Sequence, residues 1–428
     1  MHAAGGSLMR SDRYKDEPAV KKKKKHGPLK GLIFLIFILA AAIAGVTGYL
    51  YWTAYNSLAV TFTEEKPVIE FGEDLLSMSY VKEAVGDVSA ASEYIDTSVT
   101  GGSDMVYTVE KPVLGGLLTP SKDFTLSYTV IDSKPPVKMW SGDGTVLERG
   151  TEFDINNVIS YGDNADPTPL VSVDGKVDMG KNGKYPLHVK VTDSSGNSIE
   201  WDLTVEVADE LPYYEDTSER TAFASFASAY KGEGKAFGID VSAWQDEIDF
   251  KAVKKAGCEF VIIRIGYTSD EGVTIDKRFT RNIQEAKAAG LKIGVYLYST
   301  DNTEELIRSS ADWIIETLGG ANLDFPVAFD WEDFGSFQSY GISFYELNKL
   351  YDAFADELSK NGYGCMLYGS KNYIESVWEK TDIRPVWLAH YTEKTDYKGP
   401  YMMWQASCTG KISGISGDVD MDILYNKN

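Results

Sequence analysis

The spacing of apolar and polar positions changes along this chain of 428 residues. From residue 236 onward, short apolar runs alternate with stretches in which apolar residues recur every three or four positions. This is the pattern of buried strands separated by amphipathic helices. The predicted strands are Phe237–Val241, Phe260–Ile265, Ile293–Tyr298, Val327–Trp331, Cys365–Tyr368, Val386–Ala389, Met402–Ala406 and Val419–Leu424. The predicted helices include Asp276–Ala289, Thr303–Leu318 and Ser343–Lys360.

Eight strands in so short a segment predict an α/β domain, a compact β/α barrel, over residues 236–428. A doubly wound open sheet is the alternative. That fold would require a glycine-rich phosphate-binding loop after an early strand, and the sequence has none.

Residues 64–210 lack long helical patterns and contain short runs in which apolar and polar residues alternate. Examples are Phe124–Val130, Leu187–Val191 and Trp201–Val207. Turn signals such as Asp143-Gly144 and Ser195-Gly196-Asn197 separate such runs, as in antiparallel β-sandwiches. We therefore predict two all-β sandwich domains at 56–132 and 133–208, and a polar linker at 209–235 with a short helix across Glu219–Tyr230. A spacer role is the expectation for both domains, and carbohydrate or protein binding is the alternative.

An uncharged apolar segment runs from Leu32 to Trp52. A helix of that length rises about 30 Å, the thickness of a bilayer core. The basic run Lys21–Lys25 precedes it, which places the N-terminus in the cytoplasm. We therefore predict a cytoplasmic tail at 1–30, a single transmembrane helix at 31–53 and an extracellular remainder on the cell membrane. A cleaved signal peptide is the alternative, but the apolar run is long for one and no small-residue cleavage site follows.

Charge and cysteine content narrow the possible partners. The net charge is −22, although the first 30 residues carry nine Lys or Arg and only three Asp or Glu. The remainder is therefore strongly acidic, and such a surface repels nucleic acid. The three cysteines, Cys258, Cys365 and Cys408, lie in or beside apolar stretches, so buried free thiols are expected rather than a disulfide framework. No Cys/His spacing indicates a metal site.

Acidic and aromatic residues recur at the ends of the predicted barrel strands, where the chemistry of a β/α barrel takes place. Carboxylic acids can exchange protons with a glycosidic oxygen, and aromatic rings can stack on sugar rings. This combination predicts a sugar-binding cleft. Its candidate residues are Asp240, Arg264, Tyr296, Tyr298, Asp330, Glu332, Trp387, Tyr391, Trp404, Gln405 and Asp420.

The triplet Asp330-Trp331-Glu332 is the strongest local signal. Side chains two apart on a strand point to the same face, so both carboxyl groups enter one cleft. Two crowded acids separate their pKa values, and one can stay protonated near neutral pH. Such a triplet is often only a solvated surface feature, but the apolar flank Phe325–Phe329 argues against that here.

Other candidates have plain structural alternatives. Asp240 could be a helix cap or a buried structural acid. We expect Arg264 to pair with a cleft acid, and a structural ion pair is the alternative. The side chains of Trp387, Tyr391 and Trp404 could belong to the core instead of contacting substrate.

Seven motifs occur in the order found in glycoside hydrolase family 25, the lysozyme-type N-acetylmuramidases, and residues 236–425 closely resemble that family. The motifs are Gly238–Gln245, Phe260–Arg264, Gly294–Tyr296, Phe329–Glu332, Trp387–Tyr391, Trp404-Gln405 and Gly414–Asp420. The resemblance implies a modified β/α barrel that cleaves the β-1,4 bond between N-acetylmuramic acid and N-acetylglucosamine in peptidoglycan. Residues 133–208 resemble bacterial immunoglobulin-like repeats, and residues 56–132 resemble them more loosely.

The resemblance also implies roles for individual residues. Glu332 is the expected general acid, Asp330 its partner that supports the substrate acetamido group, and Asp240 a further catalytic acid. Anomeric configuration would be retained through the substrate's own acetamido group, without a metal or cofactor. The expected substrate-binding residues are Asp420, Arg264, Tyr296, Tyr298, Trp387, Tyr391, Trp404 and Gln405.

The expected partners are therefore peptidoglycan and, through the single N-terminal helix, a membrane. A non-catalytic wall-binding barrel and a glycosidase for another amino-sugar polymer are the alternatives. Trp331, Ala406 and Tyr298 depart from residues common in the family, which affects the sugar subsites more than the acid pair.

Overall fold

The computed structural model describes residues 27–269, 271–379 and 383–425. These form two compact units. The first comprises residues 27–69, 74–96 and 101–129, and the second comprises residues 70–73, 97–100 and those from 130 onward. The Lys21–Lys25 run and most of the predicted cytoplasmic tail lie outside the described residues.

The first unit begins with a long apolar helix, α1 (Gly27–Ser57). Its segment Leu29–Ser57 is apolar enough and long enough to cross a membrane. A signal sequence near an N-terminus can also form an apolar helix of this kind, so both alternatives for this segment stand.

Six strands follow α1 before residue 132, and several residues of the longest two are buried at every second position. Met105, Tyr107 and Val109 face the same core as Leu126 and Tyr128. One sheet pairs β1 with β3, and the other has the order β2-β6-β5-β4. The strands are β1 (Ala59–Phe62), β2 (Val68–Glu70), β3 (Val81–Val85), β4 (Asp87–Ala90), β5 (Gly101–Glu110) and β6 (Ser121–Ile131).

The next six strands form an all-β module within the second unit. One sheet has the order β10-β11-β12-β8 and the other pairs β7 with β9. Buried Val189 and Val191 of β11 share a core with Leu203 and Val205 of β12. The strands are β7 (Val137–Trp140), β8 (Val146–Glu148), β9 (Ser160–Gly162), β10 (Leu170–Asp174), β11 (Gly183–Thr192) and β12 (Ser198–Ala208).

The C-terminal sheet closes into a barrel through the pairings β14-β15-β17-β18-β19-β20-β21-β22 and back to β14. All neighbours are parallel except β22, which is antiparallel to both β14 and β21. Few residues connect β21 to β22, too few for a crossover, so the chain returns antiparallel. The strands are β13 (Thr221–Ala222), β14 (Lys235–Val241), β15 (Phe260–Ser269), β16 (Gly272–Ile275), β17 (Lys292–Ser299), β18 (Val327–Trp331), β19 (Cys365–Ser370), β20 (Val386–Ala389), β21 (Met403–Lys411) and β22 (Val419–Tyr425).

The helices around this barrel begin and end at recognisable caps. Thr303 accepts a hydrogen bond from the Leu306 amide, and Ser343 forms a capping box with Glu346. Gly319 ends its helix in the left-handed conformation. The helices are α2 (Phe223–Tyr230), α3 (Phe250–Lys255), α4 (Phe279–Ala288), α5 (Glu304–Leu318), α6 (Phe344–Lys360) and α7 (Lys371–Ser376).

The barrel separates two cores because successive side chains of a strand point to opposite faces. Phe260, Ile262 and Met366 fill the interior, whereas Val261, Ile263 and many others pack outward under the helices. The interior of the barrel is apolar, and the acids at the carboxyl ends of its strands are gathered at one end of it.

The predicted linker at 209–235 is only partly a linker. Its second half belongs to the barrel, since β13 pairs in parallel with β21 and α2 buries Phe223 and Phe226 in the outer core. These two phenylalanines are three positions apart and therefore share a helix face. The polar composition of the segment concealed this apolar face.

The prediction of buried thiols is correct only for Cys258. All three cysteines are free, but Cys365 is half-buried and Cys408 is exposed. Cys408 lies where the pairing of β21 with β22 is irregular, between Ser407 and Gly410, so its side chain is not covered by a neighbouring strand.

The all-β module packs directly onto the segment that follows β18. Ser160 Oγ of β9 donates a hydrogen bond to the Phe334 carbonyl. Gln338 Nε2 donates to the carbonyls of Asn156 at 2.9 Å and Ile159 at 3.1 Å. This packing makes the module part of the wall beside the strand that carries Asp330, a closer association than a spacer requires.

Candidate active site

A coupled pair of acids stands at the carboxyl end of β18. Asp330 is 5% exposed, and Glu332 follows the strand directly. Burial raises the pKa of Asp330, and the adjacent Glu332 raises it further through its charge and through a hydrogen bond between the two carboxyl groups. Burial also raises the pKa of Glu332. The pair therefore retains one proton above the pH at which free carboxylic acids lose theirs.

A second group of acids comes from β14 and β22. Asp240 and Asp420 are direct partners in the antiparallel pairing, so their side chains lie on the same face. Burial raises the pKa of Asp420 to about 6 and that of Asp422 to about 8. Burial and the charges of Asp420 and Asp422 raise the pKa of Asp240. The charge of Asp420 also raises the pKa of Glu332, which links the two groups across one cleft.

Gln405 of β21 orients this second group. Its Oε1 accepts hydrogen bonds from the hydroxyl groups of Tyr368 and Tyr391, each at 2.8 Å. Its Nε2 donates to Asp240 Oδ2 at 2.8 Å. Because Oε1 already accepts twice, the amide has a single satisfactory orientation. Asp240 is thus held by a donor that stabilises its ionised form.

Arg264 of β15 does not pair with a cleft acid as predicted. Its Nε donates to Asp276 Oδ2 at 2.9 Å, and both side chains are largely buried. Asp276 begins a turn after β16, a short strand that sequence patterning did not reveal, so its position opposite Arg264 could not be foreseen. The arginine charge still reaches the acid pair, since it lowers the pKa of Asp330 against the effect of burial.

An open cavity of about 660 Å³ lies beside the acid pair. Tyr298 lines it and borders the pair, since burial and the charges of Asp330 and Glu332 raise the pKa of its hydroxyl group. Trp244, which is 84% exposed, presents its ring on the same wall. The lining residues are Ala243, Trp244, Arg264, Tyr267, Thr274, Ile275, Asp276, Lys277 and Tyr298.

The predicted aromatic residues separate into three groups. Tyr391 is half-exposed and contacts Gln405 at the cleft. Trp387 is buried in the barrel interior, where it donates to Asp422 Oδ1 at 2.8 Å and packs edge-to-face on Tyr296. Trp387 therefore supports the acids from below and is not exposed as a stacking surface.

Trp404 does not reach the cleft, contrary to the prediction. It is 3% exposed and packs edge-to-face on Tyr230 of α2, in the core outside the barrel. Its neighbour Gln405 points inward, so the alternation of β21 sends Trp404 outward. Gln405 is the member of the pair that belongs to the site.

Two site residues were not among the candidates. Tyr368 of β19 donates to Gln405, and Asp422 accepts from Trp387 and is 0% exposed. The inward position of Asp422 was available from its spacing, because it is two residues beyond Asp420 on the same strand. Tyr368 is the last residue of the strand predicted from the sequence, Cys365–Tyr368, and could have been found from that position.

This arrangement allows crowded acids to share a proton. Proton donors and acceptors stand at one end of an apolar barrel, beside an open cavity with aromatic walls. Among the described residues, one acidic group is spaced so that a single metal ion could contact all its members, and that group, Asp132, Asp163 and Asp193, lies outside the barrel.

Comparison with known proteins agrees with this geometry. Residues 239–415 match "Glycosyl hydrolases family 25", and residues 140–207 match "Bacterial surface protein, Ig-like domain". The autolytic lysozyme of Clostridium acetobutylicum is 33% identical over 189 residues, which are 43% of this chain and 54% of that protein. Lysozyme M1 of Streptomyces globisporus is 30% identical over 197 residues, 43% of this chain and 65% of that protein.

A third relative is covered more fully. The protein YegX of Escherichia coli K12 is 30% identical over 207 residues, 47% of this chain and 73% of that protein. By contrast, the chain spans about half the length of the autolytic lysozyme. The matched segment contains Asp240, Arg264, Asp330, Glu332 and the strands that hold them. An Ig-like domain precedes the barrel. The barrel shows that the chain belongs to glycosyl hydrolase family 25.

Proposed function

We propose that the protein is a muramidase that hydrolyses the β-1,4 bond between N-acetylmuramic acid and N-acetylglucosamine in peptidoglycan. One observation carries this proposal: buried Asp330 and half-buried Glu332 stand together at the carboxyl end of β18, and each changes the pKa of the other. Family membership and two lysozymes among the relatives support the choice of substrate. We assign the barrel to the modified β/α type of this family, because its last strand runs antiparallel.

The closeness of the two carboxyl groups favours substrate-assisted retention. Retaining enzymes with a protein nucleophile keep their carboxyl groups about 5–5.5 Å apart, one on each side of the bond. Asp330 and Glu332 come from the end of a single strand and change each other's pKa, so in this proposal both act from one side of the bond. The acetamido group of the substrate then supplies the nucleophile, with Asp330 orienting it and Glu332 protonating the leaving oxygen.

Substrate binding would also place the proton correctly. In the free protein the pair shares one proton, and the deeper burial of Asp330 favours keeping it there. An acetamido N–H that donates to Asp330 stabilises its carboxylate form. The proton then belongs on Glu332, which acts as general acid and, after the leaving group departs, as general base toward water.

The remaining cleft residues bind and orient the sugar in this proposal. Asp240 and Asp420 accept hydrogen bonds from hydroxyl groups and set the negative potential around the reaction. Gln405 holds Asp240 in place. Tyr391 and Tyr298 offer ring faces at the cleft and the cavity, while Tyr296 and Arg264 shape the wall between them.

We further propose that α1 anchors the protein and leaves the barrel outside the cell. Its length and apolar composition support this, together with the basic residues before it in the sequence. Before any treatment, the protein should be found in the membrane fraction. Protease added to intact protoplasts should then remove the part after α1. A mature form that begins after residue 50, or a protected C-terminal part, would show that the segment is not such an anchor.

The proposed activity is tested by Glu332→Gln in the full-length protein. The substitution keeps the shape of the side chain and removes the proton donor, so wall lysis should fall by about 10²–10⁴-fold. Glu305→Gln on the exposed face of α5 is the matched control and should lyse walls as the unmodified protein does. Undiminished lysis by a folded Glu332→Gln protein would overturn the assignment, and wall binding without lysis by the unmodified protein would favour a binding module.

A further inference from the structure

Three aspartates outside the barrel meet in the interior of the second unit. Each follows a strand directly: Asp132 follows β6, Asp163 follows β9 and Asp193 follows β11. Their exposed fractions are 7%, 0% and 5%. One carboxylate oxygen of each lies within 4.8 Å of the others. Three carboxyl groups are thus gathered in a place with little access to water.

Two oxygens of this cluster have no partner within the protein. Asp132 Oδ2 and Asp163 Oδ2 are fully buried and accept no hydrogen bond. Among the ion pairs of the described residues, none includes any of the three aspartates. Buried charges are normally paired with an opposite charge or bound to a metal ion, so this cluster lacks a cation.

The other oxygens of the cluster are held firmly in place. Asp163 Oδ1 accepts from the amides of Ala165 at 2.9 Å and Asp166 at 2.8 Å. Asn164 Nδ2 donates to Asp132 Oδ1 at 3.0 Å. Both carboxylate oxygens of Asp193 accept from Asn197, its Oδ1 from the amide and its Oδ2 from the side chain. Such outer contacts are those that orient metal ligands.

We propose that Asp132, Asp163 and Asp193 bind one Ca²⁺ ion. Calcium takes oxygen ligands at about 2.3–2.6 Å, so two ligands of one ion lie at most about 5 Å apart. The spacing of the three oxygens satisfies that limit. A set made only of carboxylates favours a hard cation over zinc or another transition metal. Water and backbone carbonyl groups would supply the remaining ligands.

Proton sharing is the competing explanation for the cluster. Burial and the charges of Asp132 and Asp193 raise the pKa of Asp163 to about 6, although backbone hydrogen bonds lower it. That value still leaves the Asp163 carboxyl group largely ionised at neutral pH, so a proton alone does not neutralise it. A divalent cation removes the repulsion at that pH.

The ion would stabilise the part of the all-β module that contacts the barrel. The carbonyl group of Asp163 accepts a hydrogen bond from the Phe344 amide at 2.8 Å, at the start of α6. Asn164 does the same for Tyr345 at 3.1 Å. Ser160, three residues before Asp163, contacts the Phe334 carbonyl. Calcium therefore fixes the turn through which the module holds the segment after β18.

Calcium binding can be tested on the full-length protein in detergent after EGTA treatment and removal of the chelator. Calorimetric titration with CaCl₂ should show one saturable site per chain, and millimolar CaCl₂ should raise the unfolding temperature by several degrees because the ion binds only the folded state. MgCl₂ should bind at least tenfold more weakly, since magnesium demands a smaller, octahedral set of ligands. No saturable uptake of calcium by the folded protein, or equal affinity for magnesium, would overturn the proposal.

Matched variants separate this site from general attraction to an acidic protein. Asp163→Asn should abolish the saturable site and the calcium-dependent rise in unfolding temperature. Asp174→Asn, an exposed position of β10 in the same module, should leave both unchanged. Should Asp163→Asn fail to fold, Asp193→Asn serves instead, and the titration of the unmodified protein decides by itself. Saturable binding that persists when all three aspartates are replaced would refute the assignment.

Discussion

Replacement of Gln405 tests whether the hydrogen bonds around Asp240 hold the cleft together. Gln405→Leu leaves Asp240 Oδ2 and the Tyr368 hydroxyl group without partners, and both residues are at most 7% exposed. A buried polar group left unsatisfied costs about 1–3 kcal/mol, so we expect a loss of about 2–6 kcal/mol. Tyr391 is half-exposed and can bond to water instead, so it adds little.

Gln405→Glu is the informative companion, because it keeps the shape and the acceptor of the side chain. At low pH the new carboxyl group is protonated and can still donate to Asp240, so stability should be close to normal. As the pH rises, the new carboxyl group loses its proton and its negative charge faces other acids, so stability should fall. Gln405→Leu should be destabilised at every pH.

Denaturant unfolding followed by tryptophan fluorescence measures these effects, since Trp387 inside the barrel and Trp404 in the core around it are both buried. Tyr391→Phe serves as the control and should lower the free energy of unfolding by less than about 1 kcal/mol. A Gln405→Leu midpoint equal to that of Tyr391→Phe would refute the reasoning, as would a Gln405→Glu midpoint that does not depend on pH.

Three further predictions follow from the cleft and its surroundings. Asp422 has a pKa of about 8 in the folded protein and about 4 when unfolded, so folding is weakened as the pH rises from 4 to 8. Thermal unfolding of Asp422→Asn should therefore depend less on pH across that range. Gly162→Ala should cost about 1–3 kcal/mol in denaturant unfolding, because the added methyl group would lie 2.6 Å from the Phe337 ring. Tyr391→Ala should raise the wall concentration needed for half-maximal lysis, whereas Trp404→Ala should lower the unfolding temperature instead; the reverse result would contradict their placement.

Strand and helix positions of the barrel were predictable because its apolar strand runs and its three-to-four-residue helical repeat are both clear in the sequence. Val327–Trp331 and Val386–Ala389 were predicted with the bounds that the structure has. The predicted helix starts Thr303 and Ser343 proved to be the caps of α5 and α6. The direction of β22 was not predicted, since an apolar run carries no information on parallel or antiparallel pairing.

The acids of the site were predictable from strand ends, but their partners were not. Asp240, Asp330, Glu332 and Asp420 meet at one end of the barrel because every strand but the last delivers its carboxyl end there. Arg264 finds Asp276 instead of these acids, a contact that depends on a turn after a short irregular strand.

Contacts between the all-β module and the barrel could not be foreseen at all. Ser160 and its partner Phe334 are far apart in the sequence, as are Gln338 and its partner Ile159, and no local pattern marks them. Their pairing depends on the docking of two separately patterned segments, which periodicity does not describe.

Sugar analysis of the released products tests the central claim most directly. Purified peptidoglycan is digested with the full-length protein, the new reducing ends are reduced with borohydride, and the hydrolysed sugars are identified, with Glu332→Gln as the control. The proposal predicts muramitol from the unmodified protein and none above background from the control. Glucosaminitol in its place would mean cleavage of the other glycosidic bond, and the absence of any reduced amino sugar would contradict the proposed activity.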